Sequence, residues 1–315
     1  MAKQVDLQGK TVVVTGASSG LGRGTAQKLA ASGANVVMAA RRSAVLDDLA
    51  AEITASGGSA VAVETDVSRR EDIARLAATA VERFGRIDVW ISDVGIGAFG
   101  AFWEVPVEDH ARVIDVNLTG LIYGAHEALR HFTAAGEGVL INVGSVESEL
   151  PIVYQSSYAA SKAAVLSLGR CLNEELRIAG LSDSIRVGTI MPWALDTPFW
   201  VHAANYTGNA PRMSPMDGPE PVVDAIVAAC VDPKEEQRVG VKASVTDFSH
   251  RLFPDLAERL ATRVADRESE KGFKVAPTRG SIYEPIEAGT TVEGGIRERM
   301  KREDAASRQS TGGTE

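Results

Sequence analysis

Residues 11–24 read TVVVTGASSGLGRG, and the order of residue types in this stretch decides the fold. A β-branched run over 11–16 fits a short buried strand. It feeds directly into Gly16, Ser18, Ser19, Gly20, Leu21 and Gly22, where a helix must begin. Glycines at 16, 20 and 22 permit a tight turn, close backbone approach to a pyrophosphate, and tight packing of the next helix on the sheet. The helix then opens with its free amides aimed at the phosphates. A glycine turn between a strand and a helix, opening a βαβ unit, is the context that marks a dinucleotide site.

The end of the second strand should choose the dinucleotide. An acid there would bind a ribose 2′-hydroxyl, as for NAD, whereas arginine accommodates the 2′-phosphate of NADP. The sequence reads MAARRS, with Ala40 in the acid's place, followed by Arg41 and Arg42. NADP(H) is therefore the preferred cofactor, with NAD(H) kept as the alternative.

Further along, β-branched or apolar runs at 35–41, 60–66, 87–93, 138–145, 184–191 and 238–241 alternate with segments of helical spacing, such as Glu71, Ile73, Leu76, Ala77, Ala80 and Val81. Strands that are apolar on both faces and separated by helices predict an α/β, doubly wound, seven-stranded parallel sheet. A single Rossmann-type domain over 1–245 follows. Residues 192–219 form a long irregular connection at the end of a strand, the usual place for a substrate loop. Residues 246–268 predict an amphipathic helix with Leu252, Leu256, Leu260 and Val264 on one face and arginines 251, 259, 263 and 267 elsewhere. That stripe should pack on the body or on another subunit, with a membrane surface as the alternative. Residues 269–315 read as a polar, partly disordered tail. Within it RGSIYEP, 279–285, is an apolar island with two readings: docking near the pocket on the body or on a neighbouring subunit, or part of a passive tail.

The 33 basic and 42 acidic residues give a net charge of −9, which argues against a nucleic-acid partner. The opening MAKQVDLQGK lacks the apolar core of a signal peptide, and no run approaches the roughly 18 apolar residues of a membrane span. Cys171 and Cys230 have no metal-ligand spacing and read as small core residues in a reducing compartment. The expectation is a cytoplasmic protein that uses no metal.

Tyr158 and Lys162 in YAASK stand four apart, which on a helix leaves them about 40° apart on one face. A lysine beside a phenol favours the phenolate, giving a proton donor and acceptor usable near neutral pH. With the glycine motif at 15–22, NLTG at 117–120, and Ser145 thirteen residues before Tyr158, the chain resembles the short-chain dehydrogenase/reductase family over roughly residues 5–245. The resemblance implies strand order 3-2-1-4-5-6-7, a nicotinamide cofactor, and assembly as a homodimer or homotetramer. It implies that Tyr158 is the general acid in reduction and the base in oxidation, with its pKa lowered by Lys162. Lys162 would also hold the nicotinamide ribose, Ser145 the substrate oxygen, and Asn117 a water linking Lys162 to solvent. Asp66 and Val67 would bracket the adenine, with the Asp66 side chain facing its amino group. Thr197 would hold the carboxamide, and Gly95 and Pro192 would line the cofactor.

Two motifs depart from the family. SDVG (Ser92, Asp93, Val94, Gly95) replaces Asn-Asn-Ala-Gly, bringing a charge that needs a partner. Trp193 replaces the glycine after Pro192, adding bulk where substrate and nicotinamide should meet. The expected substrate pocket comprises Glu147, Tyr154, Trp193, Phe199 and Tyr206, flanked by Val94, Ile96 and Trp200, and suits a hydrophobic ketone, aldehyde or alcohol. The expected function is carbonyl–alcohol interconversion. An NADP-sensing binding protein on the same fold is the alternative from another class.

Overall fold

A computed structural model of the chain describes residues 5–240, 242–244, 250 and 252–311. Residues 1–4, Val241, the 245/246 domain boundary, Arg251 of the expected amphipathic stripe, and the last four residues of the expected tail lie outside the described residues.

Seven strands form one parallel sheet: β1 (Thr11–Thr15), β2 (Asn35–Ala40), β3 (Ser59–Glu64), β4 (Val89–Ser92), β6 (Gly138–Val143), β7 (Ile185–Pro192) and β9 (Glu236–Val239). Two short strands, β5 (Ala98–Phe99) and β8 (Ala204–Asn205), pair separately above it. The large sheet has the order β3-β2-β1-β4-β6-β7-β9, which is the expected 3-2-1-4-5-6-7 once β5 and β8 are set aside. The last strand occupies 236–239 rather than 238–241, because Gly240 turns the chain at φ +95°.

Side-chain alternation in β1 shows why the sheet is covered twice. Val12 and Val14 face one apolar layer, made with Leu29 of α1 (Gly20–Ala31), Leu46 and Leu49 of α2 (Ser43–Ala55), and a helix beyond residue 219. Val13 faces the other, made with Leu76 of α3 (Arg70–Phe84) and, farther along the chain, Phe132 and Leu176. The helix carrying Phe132 is interrupted: α4 (Val107–Ile114) passes through a π-helical turn, Asp115–Thr119, into α5 (Gly120–Ala135). Such a bulge re-aims side chains, and Asn117 sits within it. Then α6 (Ser156–Ile178), the short α7 (Phe199–His202) and α8 (Glu220–Ala229) complete the doubly wound body.

The C-terminal region departs from the expectation of a polar, partly disordered tail. A helix α9 (Pro254–Lys271) is followed by a strap that crosses the body and by a helix α10 (Ile296–Thr311). Ile282 is fully buried against Ala204 and Val105, and Ile296 and Met300 pack on Trp200 and Met213. The apolar island at 279–285 therefore docks on this chain's own body. The stripe on α9 does the reverse: Leu256, Leu260 and Val264 are exposed, while Ala265 and Glu268 form its buried side. The cysteines also divide, Cys230 being buried and Cys171 exposed.

Arg212 explains why the tail is held. Its side chain is 1% exposed and donates to Glu268 of α9 at 3.0 Å, and to Glu303 and Asp304 of α10 at 2.9 and 2.8 Å. One guanidinium thus joins the loop after β7 to both C-terminal helices. Removing one partner of a buried ion network leaves the others unpaired. Arg212→Ala should lower unfolding free energy by about 3–5 kcal/mol, with hydrogen-exchange protection of α9 and α10 lost first. Unchanged denaturant melting would contradict this account of the docking.

Candidate active site

The carboxyl ends of the central strands open onto one cavity of about 250 Å³. At the end of β1 the chain turns through Gly16, at φ +78°, into α1. A Cβ on Gly22 would stand 2.4 Å from the Gly16 carbonyl oxygen, so this approach of helix to turn admits no side chain. Gly16, Ser18, Ser19, Gly20 and Leu21 line the cavity, while Gly22 packs behind them.

Arg41 and Arg42 also line the cavity, at the end of β2. Arg41 donates to the backbone carbonyls of Ser281 and Tyr283. Arg42 donates to the Ser18 hydroxyl at 3.0 Å and to the carbonyls of Ala288 and Gly289 at 3.2 and 3.3 Å. These oxygens are neutral, and among the described residues neither arginine has a carboxylate at ion-pair distance. Burial lowers both pKa values, and mutual repulsion lowers that of Arg42 further. The site therefore presents two partly desolvated positive charges whose hydrogen-bond partners are neutral oxygens, with Asp66 and Glu284 acting on Arg41 from beyond ion-pair distance.

Asp66 and Val67 line the same end of the cavity. Asp66 is not free to face a ligand with its whole carboxylate. One oxygen accepts from the Ser68 amide and hydroxyl, at 3.0 and 2.7 Å, and the other from Arg112 at 2.9 Å. Burial pushes the Asp66 pKa upward, but these bonds outweigh it and leave it lowered. Arg112, which no sequence pattern marked, reaches the site from α4 and also holds the Ile282 carbonyl.

At the other end α6 brings Tyr158 and Lys162 against Ser145. Lys162 is 3% exposed, donates to the Val143 carbonyl at 2.8 Å, and lies 5.6 Å from the Tyr158 ring centre. The expected lowering of the Tyr158 pKa is not what the geometry gives. Burial raises it, nearby Glu147 and Asp93 raise it further, and only the Ser145 hydroxyl opposes them. Lys162 itself is lowered to about 8 by burial, against the pull of Asp93 and Glu147. The phenol is thus held protonated.

Asn117 lies behind the cavity rather than in it. Its carboxamide accepts from the Ile96 amide at 2.8 Å and donates to the Ile96 carbonyl and the Ser161 hydroxyl, at 2.9 and 3.1 Å. It clamps the chain after β4 to α6, and this side chain is occupied by protein partners where the resemblance implied a water. Gly95, Pro192 and Thr197 line the cavity, and a Cβ on Gly95 would stand 3.6 Å from the Lys162 amine.

Of the expected substrate pocket, Glu147, Trp193 and Phe199 line the cavity, as do Val94, Ile96 and Trp200. The Phe199 ring lies 5.2 Å from that of Tyr158. Tyr154 and Tyr206 do not take part. Tyr154 turns away at φ +69° and donates to Asp266 on α9 at 2.6 Å, whereas Tyr206 donates to buried Asp109 on α4. Ile152, Gln155 and Met213 stand in the cavity wall instead. They occupy irregular chain with no periodicity, so composition alone could only mark the loop. Trp193 donates its indole N–H to the Pro215 carbonyl at 2.6 Å, which ties its bulk to the wall. Glu147 is buried, with one carboxyl oxygen unpartnered, and burial raises its pKa to about 8.

Asp93, in the departed motif, finds a partner in the chain itself. Its backbone amide donates to the Thr15 hydroxyl at 3.1 Å, and its carboxylate accepts from the Gly22 amide. It therefore ties β4 to β1 and to the start of α1. Burial raises its pKa to about 7, against Lys162 and the Gly22 amide.

Residues 10–206 match the model of the family described as short chain dehydrogenase. The chain is 37% identical over 261 residues to an uncharacterized oxidoreductase of Bacillus subtilis (strain 168), covering 82% of this chain and 73% of that one. It is 40% identical over 195 residues to 3beta-hydroxysteroid dehydrogenase 1 of Eggerthella lenta, covering 61% of this chain and 73% of that one. Among solved structures, the Brucella melitensis 3-ketoacyl-(acyl-carrier-protein) reductase complexed with NADH superimposes with a TM-score of 0.65 at 27% identity, over 76% of this chain and all of that one. An alcohol dehydrogenase from Thermococcus sibiricus, complexed with 5-hydroxy-NADP, gives 0.64 at 26% identity, over 74% of this chain and 97% of that one.

The raised carboxyl at Asp93 has a definite pH signature. Its folded pKa of about 7 exceeds the ordinary 3.8, so between those values the native state holds the extra proton and stability falls as pH rises. Asp93 faces the cavity, and water there offsets part of the burial. Asp93→Asn should stabilise the protein by about 2 kcal/mol at pH 8 and by almost nothing near pH 4. Denaturant melting at the two pH values measures this, and an equal effect at both would refute it.

Proposed function

The chain belongs to the short-chain dehydrogenase family, and from that premise we propose that it is an NADP(H)-dependent oxidoreductase interconverting a hydrophobic ketone or aldehyde with the corresponding alcohol. The observation that carries the reading is the meeting of Ser145, Tyr158 and Lys162 in one cavity with the glycine turn and two arginines whose hydrogen-bond partners are neutral oxygens. These residues fit a phosphorylated dinucleotide: Gly22 lets the start of α1 close on the Gly16 turn that lines the cavity, and Arg41 and Arg42 offer charge to a 2′-phosphate. The turn Gly16–Leu21 would hold the pyrophosphate, Asp66 and Val67 the adenine, and Gly95, Pro192, Thr197, Tyr158 and Lys162 the nicotinamide half.

A bound reduced nicotinamide supplies the hydride. The protein's share is proton transfer and position. In reduction, Ser145 would hydrogen-bond the substrate carbonyl oxygen and Tyr158 O–H would donate its proton to that oxygen. In oxidation the phenolate takes the proton back. Burial keeps the Tyr158 phenol protonated at neutral pH, so the proton for the reduction direction is in place while the phenolate used in oxidation is scarce. Asn117 positions α6, and with it Tyr158, from behind. The wall of Ile152, Trp193, Phe199, Trp200 and Met213 suits an apolar substrate. The relatives named for a hydroxysteroid, a ketoacyl thioester and an alcohol span the same carbonyl–alcohol chemistry. A homodimer or homotetramer in the cytoplasm belongs to the same proposal; the unpaired cysteines fit a reducing compartment, and light scattering reads the assembly.

Tyr158→Phe should abolish NADPH-dependent turnover across a panel of hydrophobic ketones and aldehydes while leaving NADPH binding within about threefold, an expectation for loss of one uncharged hydroxyl. Tight NADPH binding without turnover by the unmodified chain would favour the sensor reading. Arg41→Ala should weaken NADPH about 10- to 100-fold and leave NADH nearly unchanged. Equal loss for both cofactors would remove the 2′-phosphate assignment.

A further inference from the structure

The strap between α9 and α10 runs the length of the cavity on its open side. Near Arg41 it supplies the carbonyls of Ser281 and Tyr283, and near Arg42 those of Ala288 and Gly289. Farther on, the Thr291 carbonyl accepts from the Gly20 amide at 2.9 Å, at the very end of α1 that faces the phosphates. At the far end Gly294 lies against the Thr197–Pro198 turn, where a Cβ would stand 2.4 Å from the Thr197 carbonyl oxygen. Ser281, Pro285 and Ile286 form part of the cavity lining itself.

The two ends of this segment are fastened outside the cavity. At one end Ile282 is buried in the body, and the Tyr283 hydroxyl donates to Asp109 at 3.0 Å. At the other, Asp196 accepts from the Ile296 amide at 2.7 Å and from the Arg297 side chain at 3.0 Å. Between these anchors the contacts to the cleft are mainly backbone carbonyls resting on groups suited to an anion.

Resting on the reading above, we propose that residues 281–294 are the outer wall of the dinucleotide site, a strap that lifts to admit the cofactor and closes over it. Ser281, Pro285 and Ile286 bound the adenosine half from outside. Two observations require the lifting. The cavity of about 250 Å³ is smaller than the usual 300–1,000 Å³ of a small-molecule site. The Thr291 carbonyl also occupies an amide that a phosphate would use. Because both ends are anchored, the strap bows rather than swings free. On binding, Arg42 exchanges the neutral carbonyls of Ala288 and Gly289 for a phosphate, which gives the opening its driving force. Cofactor exchange is then limited by the strap, and the dinucleotide is retained for longer than in an open cleft.

Two variants test this by NADPH and NADH fluorescence in stopped flow. The first is Gly24→Cys/Val292→Cys in a Cys171→Ser background, which pins the strap to α1 through a disulfide; a Cβ on Gly24 would lie 3.1 Å from a Val292 methyl carbon. Oxidised, it should take up NADPH at least tenfold more slowly than the same protein reduced with dithiothreitol. Loaded first and then oxidised, it should release NADPH at least tenfold more slowly. The second, Ile282→Ala/Tyr283→Phe, loosens one anchor and should release NADPH about tenfold faster than the unmodified chain, a shift of about 1.4 kcal/mol in the barrier. Amide exchange across 284–295 should slow when NADPH is added. Rates independent of disulfide state and of the anchor would overturn the strap assignment while leaving the cofactor reading intact. Binding by the loosened variant alone would support a closed strap. No binding of either nucleotide by any form would sink both.

Discussion

The Lys162 amine on the Val143 carbonyl is the contact on which the rest of the site depends. It fastens α6 to the end of β6, and because Tyr158 lies four residues earlier on the same helix, it fixes the phenol beside Ser145 as well. A buried ammonium is expensive to hold unless charge nearby compensates it. Asp93 and Glu147 pull against that cost without cancelling it, because their own burial raises their pKa values to about 7 and about 8. The departure from the family's asparagine at 93 is then no isolated oddity. It puts a second titratable group beside Lys162 and ties that group to the start of α1 through Gly22. The site is a small electrostatically coupled cluster, with the tyrosine kept in its acid form.

The opposite end of the cavity runs on positive charge. Arg41 and Arg42 have their hydrogen bonds met by neutral oxygens, and among the described residues no carboxylate stands at ion-pair distance, an arrangement that neutral carbonyls sustain less well than an anion would. Two clusters of opposite tendency, one rich in carboxyls around a lysine and one of bare guanidinium groups, thus lie at the ends of one cleft. The strap spans them, and Arg212 holds the helices that hold the strap.

Much of this was legible in the sequence because it depends on local pattern. Val12 to Val14 alternate between two apolar layers, and Gly16 and Gly22 are needed at their own turn, so β1 and α1 could be read directly, while the sheet order came with the family resemblance. Tyr158 and Lys162 follow from helix periodicity. The misses share a different cause. Tyr154 and Tyr206 were placed by proximity in sequence to the pocket, but each hydroxyl is drawn away by a carboxylate on a distant helix, Asp266 or Asp109. Apart from the apolar island at 279–285, the strap reads in sequence as a polar, partly disordered tail because its attachments are largely backbone carbonyls, which every residue has, and glycines whose close approach shows only in three dimensions. The stripe on α9 misled in the opposite sense: its periodicity marks an apolar face, but Ala265 and Glu268 meet the body instead. Arg112 left no local signal, since its partners are Asp66 and the carbonyl of Ile282, far away in sequence.

The most direct test of the account is to follow the hydride. NADPH carrying deuterium at C4 would be incubated with the protein and a panel of hydrophobic ketones and aldehydes, and the products examined by mass spectrometry. The account predicts deuterium on the carbinol carbon of the alcohol formed, with the hydroxyl proton drawn from solvent through Tyr158. Bound NADPH that passes no deuterium to any member of the panel would contradict it.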